Sequence, residues 1–227
     1  MSRPALLLDL DGTLIDTAPD MVATLNEMLA AEGRAPVAYQ AARQRVSDGA
    51  VGLLQIGYGL APEDPALVEL RLRYLEHYER RLCVDSLIFN GFEQVIDAAL
   101  KAGWAWGVVT NKPAYLAAPL LEALDLAPTA GCLVGGDTLP RRKPHPDPLL
   151  HAAKLLGTTP EYCIYVGDAP RDIVAGRAAG MRTVAAGYGY LADPATAVDW
   201  AADLVIESPL QLLALIGATG EVGERAG

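Results

Sequence analysis

Nothing in this chain of 227 residues approaches the ~20 consecutive apolar residues of a membrane-spanning helix. The apolar start, ALLL, meets the first carboxylate at Asp9, too early for the core of a secretory leader. Cysteine is scarce: Cys83, Cys132 and Cys163 are far apart and form no CxxC pair, so neither a disulfide framework nor a zinc site is expected. Histidine numbers three, and none stands at ligand spacing from a cysteine. Basic charge is in deficit as well. With 18 Lys+Arg against 28 Asp+Glu the formal charge is −10, the wrong sign for a general nucleic-acid binder. Internal repeats and low-complexity blocks are missing. These absences leave a soluble, cytoplasmic globular protein, monomer or homodimer, with no membrane or nucleic-acid partner. Its 52% hydrophobic and 20% charged residues are ordinary for such a class.

What is present is an alternation. Short apolar runs at 5–10, 104–110, 132–135, 162–167, 182–186 and 203–206 read as buried strands. Helical patterns at 92–102, 113–124, 147–156 and 170–180 lie between them. Strands alternating with helices imply an α/β fold, a doubly wound parallel sheet covered on both faces. The segment 16–86 breaks the pattern. It shows no convincing strand, but helical stripes from Pro19 (Met21, Leu25, Met28, Leu29), over 37–46, and over 62–82 (Leu67, Leu70, Tyr74, Tyr78). The expected organisation is an α/β core (1–15 and 87–218), a helical insert (16–86) and a Gly-rich flexible tail (219–227).

Polar residues gather where the strands end. Asp9 and Asp11 close the first strand, Thr110 the second, and Asp168 the run YCIYVG, with Asp172 four residues on. Lys143 follows the short strand CLVGG within RRKPHPDPL. Strand C-termini of a parallel sheet open on one edge, so chain order brings these groups to one mouth. Asp9 and Asp11 would face opposite sides of an extended strand; a turn at Gly12 can swing the second back. Acids so placed repel one another unless a cation lies between them, and an oxygen-rich donor set suits Mg²⁺. Lys143 and the Thr110 hydroxyl can hold phosphate oxygens. A carboxylate so flanked can attack phosphorus to give an aspartyl-phosphate, while a second carboxylate protonates the leaving oxygen and then activates water. At about 4 Å, a unit charge pair is worth on the order of 4 kcal/mol at an effective dielectric of 20, so Mg²⁺ and Lys143 should outweigh the distant surface acids.

Four segments in order resemble the haloacid dehalogenase superfamily: DLDGTLIDT (9–17), VVTN (108–111), Lys143 in RRKPHPDPL, and VGDAPRD (166–172). The resemblance covers essentially the whole chain and implies a Rossmann-like core with an inserted helical cap. It implies Asp9 as nucleophile, Asp11 as general acid/base, and Thr110, Asn111 and Lys143 as phosphate binders. It implies Mg²⁺ held by Asp9, the backbone carbonyl of Asp11, and Asp168, with Asp172 a ligand or a close neighbour. The cap loop carrying Arg45, Ser47, Asp48 and Gly49 would read the leaving group, a plain helix–helix turn being the equal alternative. The segments LIFNGF, GVVTNKP, RKPHPDPL and GYGY are similar to those of phosphoglycolate phosphatases and of the branch acting on N-acetylmuramic acid 6-phosphate. Asn90 and Ala169 depart from the Pro and Ser common there, and neither change removes a catalytic group. The expected substrate is therefore a small phosphorylated metabolite. Dehalogenation is disfavoured by Asp11. A sugar phosphomutase shares all four segments and stays open; an Asp-phosphorylated receiver domain is smaller and lacks a cap. Arg171 reads as a surface or ion-pairing residue, and Lys112 as either solvated or near substrate.

Overall fold

The computed structural model describes residues 3–223. Strand β1 (Ala5–Leu8) leads through a tight turn to β2 (Ile15–Asp16) and four helices, α1 (Ala18–Ala31), α2 (Tyr39–Arg43), α3 (Gly49–Tyr58) and α4 (Ala66–Arg80). The chain returns through β3 (Leu87–Ile88) and then alternates: α5 (Phe92–Lys101), β4 (Ala105–Val109), α6 (Ala114–Ala123), β5 (Leu133–Val134), α7 (Asp147–Leu155), β6 (Cys163–Gly167), α8 (Pro170–Ala178) and β7 (Arg182–Ala186). It closes with β8 (Leu204–Ile206) and α9 (Leu212–Gly223).

Six strands form one parallel sheet in the order β5-β4-β1-β6-β7-β8. The central strands, ALLL, AWGVV and CIYVG, are buried at every position and carry no charged side chain, as strands covered on both faces must. Alternate residues of β1 serve opposite layers. Leu6 and Leu8 join Phe92 and Val95 of α5, Leu120 of α6 and Leu212 of α9. Ala5 and Leu7 join Leu149 of α7 and Ala175 of α8. Strand order reverses at β1, between β4 and β6, which opens a crevice at their C-terminal ends.

Helices α1–α4 pack around Met21, Leu25, Met28, Leu53, Leu54, Leu67, Tyr74 and Tyr78, and meet the α/β core through Leu116 and Tyr190. The chain leaves and re-enters the core through an antiparallel pair, Ile15 opposite Ile88 and Asp16 opposite Leu87. Buried Asp20 clamps this junction, accepting hydrogen bonds from the Asp85 and Ser86 N–H groups and from Ser86 Oγ at 2.7–3.0 Å.

The strand and helix assignments of the α/β core match the sequence reading within a residue or two. The insert differs. Asp16 belongs to a short strand, the helix expected over 37–46 is only Tyr39–Arg43, and α3 was not foreseen. Glycines at 49, 52 and 57 weaken the helical signal of GAVGLLQIGY, yet Gly49 has a positive φ of +68° and Gly52 and Gly57 have no room for a Cβ. A Cβ on Gly57 would lie 2.7 Å from Leu25 Cδ1. The helix α9 was not foreseen; it runs to Gly223, and 224–227, part of the expected flexible tail, lie outside the described residues. No helix among the described residues is long and apolar enough to cross a membrane.

Candidate active site

The hydrogen-bond ladder carries on one residue past β1, the Asp9 N–H donating to the Val166 carbonyl at 2.9 Å, and so holds Asp9 at the head of the crevice. The chain then turns sharply: the Leu10 carbonyl accepts from the N–H groups of Thr13, Leu14 and Ile15. Gly12 makes the turn at φ +82°, where L side chains are strained, and a Cβ there would lie 2.2 Å from Asp168 Oδ2. The turn brings Asp9 and Asp11 into the wall of one cavity of about 420 Å³.

Each of these acids has its own ammonium partner. Asp9 Oδ1 accepts from the Leu10 N–H and meets Lys143 Nζ, both at 2.8 Å. Asp11 Oδ1 accepts from Lys112 Nζ at 2.8 Å and from Thr17 Oγ1 at 2.5 Å. Lys143 is almost wholly buried and also contacts Asp172 Oδ1 (2.7 Å), the Tyr165 hydroxyl (2.7 Å) and the Val109 carbonyl (3.0 Å). Its loop is fixed by Asn111, whose Nδ2 donates to the Lys143 carbonyl at 3.0 Å. Thr110 Oγ1 accepts the Lys112 N–H at 3.1 Å and keeps its own proton for another acceptor.

Asp9, Asp168 and Asp172 can bring one carboxylate oxygen each within 4.8 Å of one another, all three buried. Burial is the main cause that pushes Asp168 from its ordinary 3.8 up to about 7, with the Asp9 and Asp172 charges adding to it. Burial likewise pushes Asp9 up to about 6, against the pull of Lys143. Asp168 Oδ2 accepts from Ser47 Oγ (2.8 Å) and the Tyr190 N–H (3.1 Å), whereas buried Oδ1 has no hydrogen-bond partner among the described residues. An orphaned carboxylate oxygen beside two further acids is a donor set suited to a hard divalent cation. Asp172 divides its duties: Oδ1 holds Lys143, and Oδ2 accepts the Ala169 N–H at the start of α8. The Asp11 carboxylate lies outside this cluster, turned to Lys112 and Thr17.

The insert roofs the cavity. Ser47, Asp48 and Gly49 line it, but Arg45 does not. Arg45 turns back along α3 to Asp48 (3.1 Å) and Gln55 (3.3 Å) and borders a separate shallow depression. From α4 come Arg71, Tyr74, Leu75 and Tyr78, at the i, i+3, i+4, i+7 spacing of one helix face. Two cations read as surface groups or left open are integral to the site. Lys112 is buried over the Tyr78 ring, Nζ 4.5 Å from the centroid. Arg171 lines the cavity and donates to the Ser47 carbonyl, tying core to cap. The available signal was position: Lys112 lies two residues past a strand-end threonine, and Arg171 stands between two site acids.

Comparison with known proteins agrees with this geometry. Residues 4–180 match the family model of the haloacid dehalogenase-like hydrolases. A phosphoglycolate phosphatase of Xylella fastidiosa is 45% identical over 206 residues, covering 90% of this chain and 89% of the relative. An N-acetylmuramic acid 6-phosphate phosphatase of Pseudomonas aeruginosa is 40% identical over 213 residues, 94% of each. Among solved structures, a hydrolase from Pseudomonas syringae superposes with a TM-score of 0.72 at 27% identity, covering 95% of this chain and 99% of that one. The cap, the acid-rich sheet edge and these matches have one reading: the chain belongs to the haloacid dehalogenase-like hydrolases.

Proposed function

We propose that this hydrolase is a Mg²⁺-dependent phosphatase that cleaves a small phosphomonoester, 2-phosphoglycolate or N-acetylmuramic acid 6-phosphate, through a phosphoryl group carried on Asp9. One observation carries the reading. Both contacts to the Asp9 carboxylate fall on Oδ1, which leaves Oδ2 for attack on phosphorus. Asp11 is built in the same manner, with Oδ1 engaged by Lys112 and Thr17 and Oδ2 left over. Asp11 gives a proton to the leaving oxygen as its bond to phosphorus breaks, then takes one from the water that hydrolyses the aspartyl-phosphate. Lys143 and the Thr110 hydroxyl hold phosphate oxygens, and Asn111 keeps the Lys143 loop in place. Mg²⁺, held by Asp9, the Asp11 carbonyl and Asp168 with Asp172 alongside, would offset phosphate charge. Ser47 and Arg171 keep the cap over the site, which excludes water from the first transfer.

The reading is tested by kcat/KM for the two named esters, with Mg²⁺ and with EDTA. Turnover of either ester that chelation abolishes supports it; rates indifferent to EDTA overturn the metal requirement, and no turnover overturns the function.

Two further outcomes follow. Asp11→Asn should lower kcat by about 10²–10⁴-fold for an alkyl phosphate and far less for p-nitrophenyl phosphate, whose phenolate departs without a proton. Equal losses on both would remove Asp11 from that role. The second concerns pH. Asp168 moves from 3.8 to about 7 on folding, so the metal-free folded protein binds more protons than the unfolded chain between those values. This site's contribution to stability is therefore greatest at low pH and is lost as pH rises through about 7. Mg²⁺ offsets the repulsion between ionised acids, so it should raise Tm more at about pH 8 than at about pH 5.5. An equal rise at both, measured by calorimetry, would contradict the metal assignment.

A further inference from the structure

We propose that Arg71 on the cap helix α4 binds a carboxylate on the leaving group, which makes the substrate class phosphomonoesters of carboxylic acids. The inference rests on the phosphatase reading above and adds what the leaving group must carry.

The argument is a matching of charges inside the cavity. Five cationic side chains line it, Arg71, Lys112, Arg142, Lys143 and Arg171, against the three carboxylates Asp9, Asp11 and Asp48. Two further acids, Asp168 and Asp172, stand directly behind this wall and are held by Ser47 and by Lys143. Each of the three lining carboxylates already has a cation: Asp9 has Lys143, Asp11 has Lys112, and Asp48 has Arg45 from outside the cavity. Arg171 is engaged by the Ser47 carbonyl. The guanidiniums of Arg71 and Arg142 have no hydrogen bond or ion pair among the described residues, so both are surplus to the protein's internal pairing. Much of the remaining wall, including Val46, Val51, Leu75 and Leu116, is apolar and has no use for a cation.

Position separates the two. Arg142 directly precedes Lys143, on the side that holds the phosphoryl group. Arg71 is half-buried on the same face of α4 as Tyr74 and Tyr78, on the cap that covers the leaving group. A guanidinium presents a planar fork that matches a carboxylate with two parallel N–H···O bonds. Both esters named above carry such a group, although one is a two-carbon acid and the other an amino sugar. A common carboxylate contact on α4 accounts for one cavity type serving both.

The test uses matched pairs that differ in the carboxylate: 2-phosphoglycolate with ethyl phosphate, and N-acetylmuramic acid 6-phosphate with the methyl ester of its lactyl carboxylate. For the wild type, kcat/KM should favour the acid of the pair it turns over by about 10- to 100-fold. Arg71→Gln should erase most of that preference, chiefly through KM, and Arg71→Lys should restore part of it. Should Arg71→Gln fail to fold, glycolate competing with p-nitrophenyl phosphate at the wild-type site, where ethanol does not, gives the same answer without a variant. Equal rates on acid and neutral twins, or equal losses on both in Arg71→Gln, overturn the proposal while p-nitrophenyl phosphate turnover leaves the phosphatase reading standing. A wild type that hydrolyses no monoester, p-nitrophenyl phosphate included, ends both.

Discussion

Asp9→Asn lowers kcat for every phosphomonoester by about 10⁴-fold or more while the protein stays folded. The amide oxygen can still accept from the Leu10 N–H and from Lys143, so the turn and the loop keep their anchors. What disappears is the anionic Oδ2, the group proposed to attack phosphorus. The substitution also removes a buried charge from a cluster in which Asp9, Asp168 and Asp172 crowd one another, so metal-free Tm should hold or rise. Phosphate release assayed beside a thermal melt checks both halves. A variant keeping more than about a tenth of wild-type kcat would show that the attacking group is elsewhere.

Lys143→Met should cost both activity and stability. The ammonium sits between Asp9 and Asp172, 2.8 and 2.7 Å away, with its side chain fully out of solvent. Removing one partner from a buried ionic cluster is far worse than never having built it, typically about 3–5 kcal/mol, because the remaining charges keep their desolvation cost. Two carboxylates are stranded here. Asp9, already pushed up to about 6, can escape by protonation, so the loss should be smaller near pH 5 than near pH 8. Urea unfolding at both pH values measures it in EDTA, where no cation can substitute for the ammonium. A loss below about 1 kcal/mol at high pH would mean that Lys143 is not the counter-ion that holds these acids.

What could be read from the chain has a physical dividing line. The strands were legible because the central strands, buried on both faces, carry no charged side chain along their length, so Asp9, Thr110 and Asp168 stand just past their ends, where the candidate site lies. The turn that gathers Asp9 and Asp11 was legible because Gly12 is the residue such a turn requires. Contacts made across the chain were not. Lys112 owes its burial to Asp11, 101 residues away, and Arg171 owes its place to Ser47, 124 residues away. Within their own segments Arg171 reads as a surface or ion-pairing residue and Lys112 as solvated or near substrate. At Arg45 the loop reaches the cavity, while the side chain has a nearer partner in Asp48. The helix α3 was hidden because its glycines, among them Gly57, which lets it pack on Leu25 of α1, are the residues that blur a helical pattern. Asp20 was overlooked because its partners Asp85 and Ser86 lie at the far end of the insert.

The central claim is that phosphate passes to Asp9 before it passes to water. Two in-line displacements restore the configuration at phosphorus, whereas a single attack by water inverts it. The most direct test is therefore the stereochemical course of hydrolysis, using a substrate ester made chiral at phosphorus with oxygen isotopes and an acceptor alcohol that receives the phosphoryl group in place of water. Net retention is the result predicted by attack from Asp9 Oδ2. Net inversion would contradict it and would reduce Asp9 to a residue that only binds.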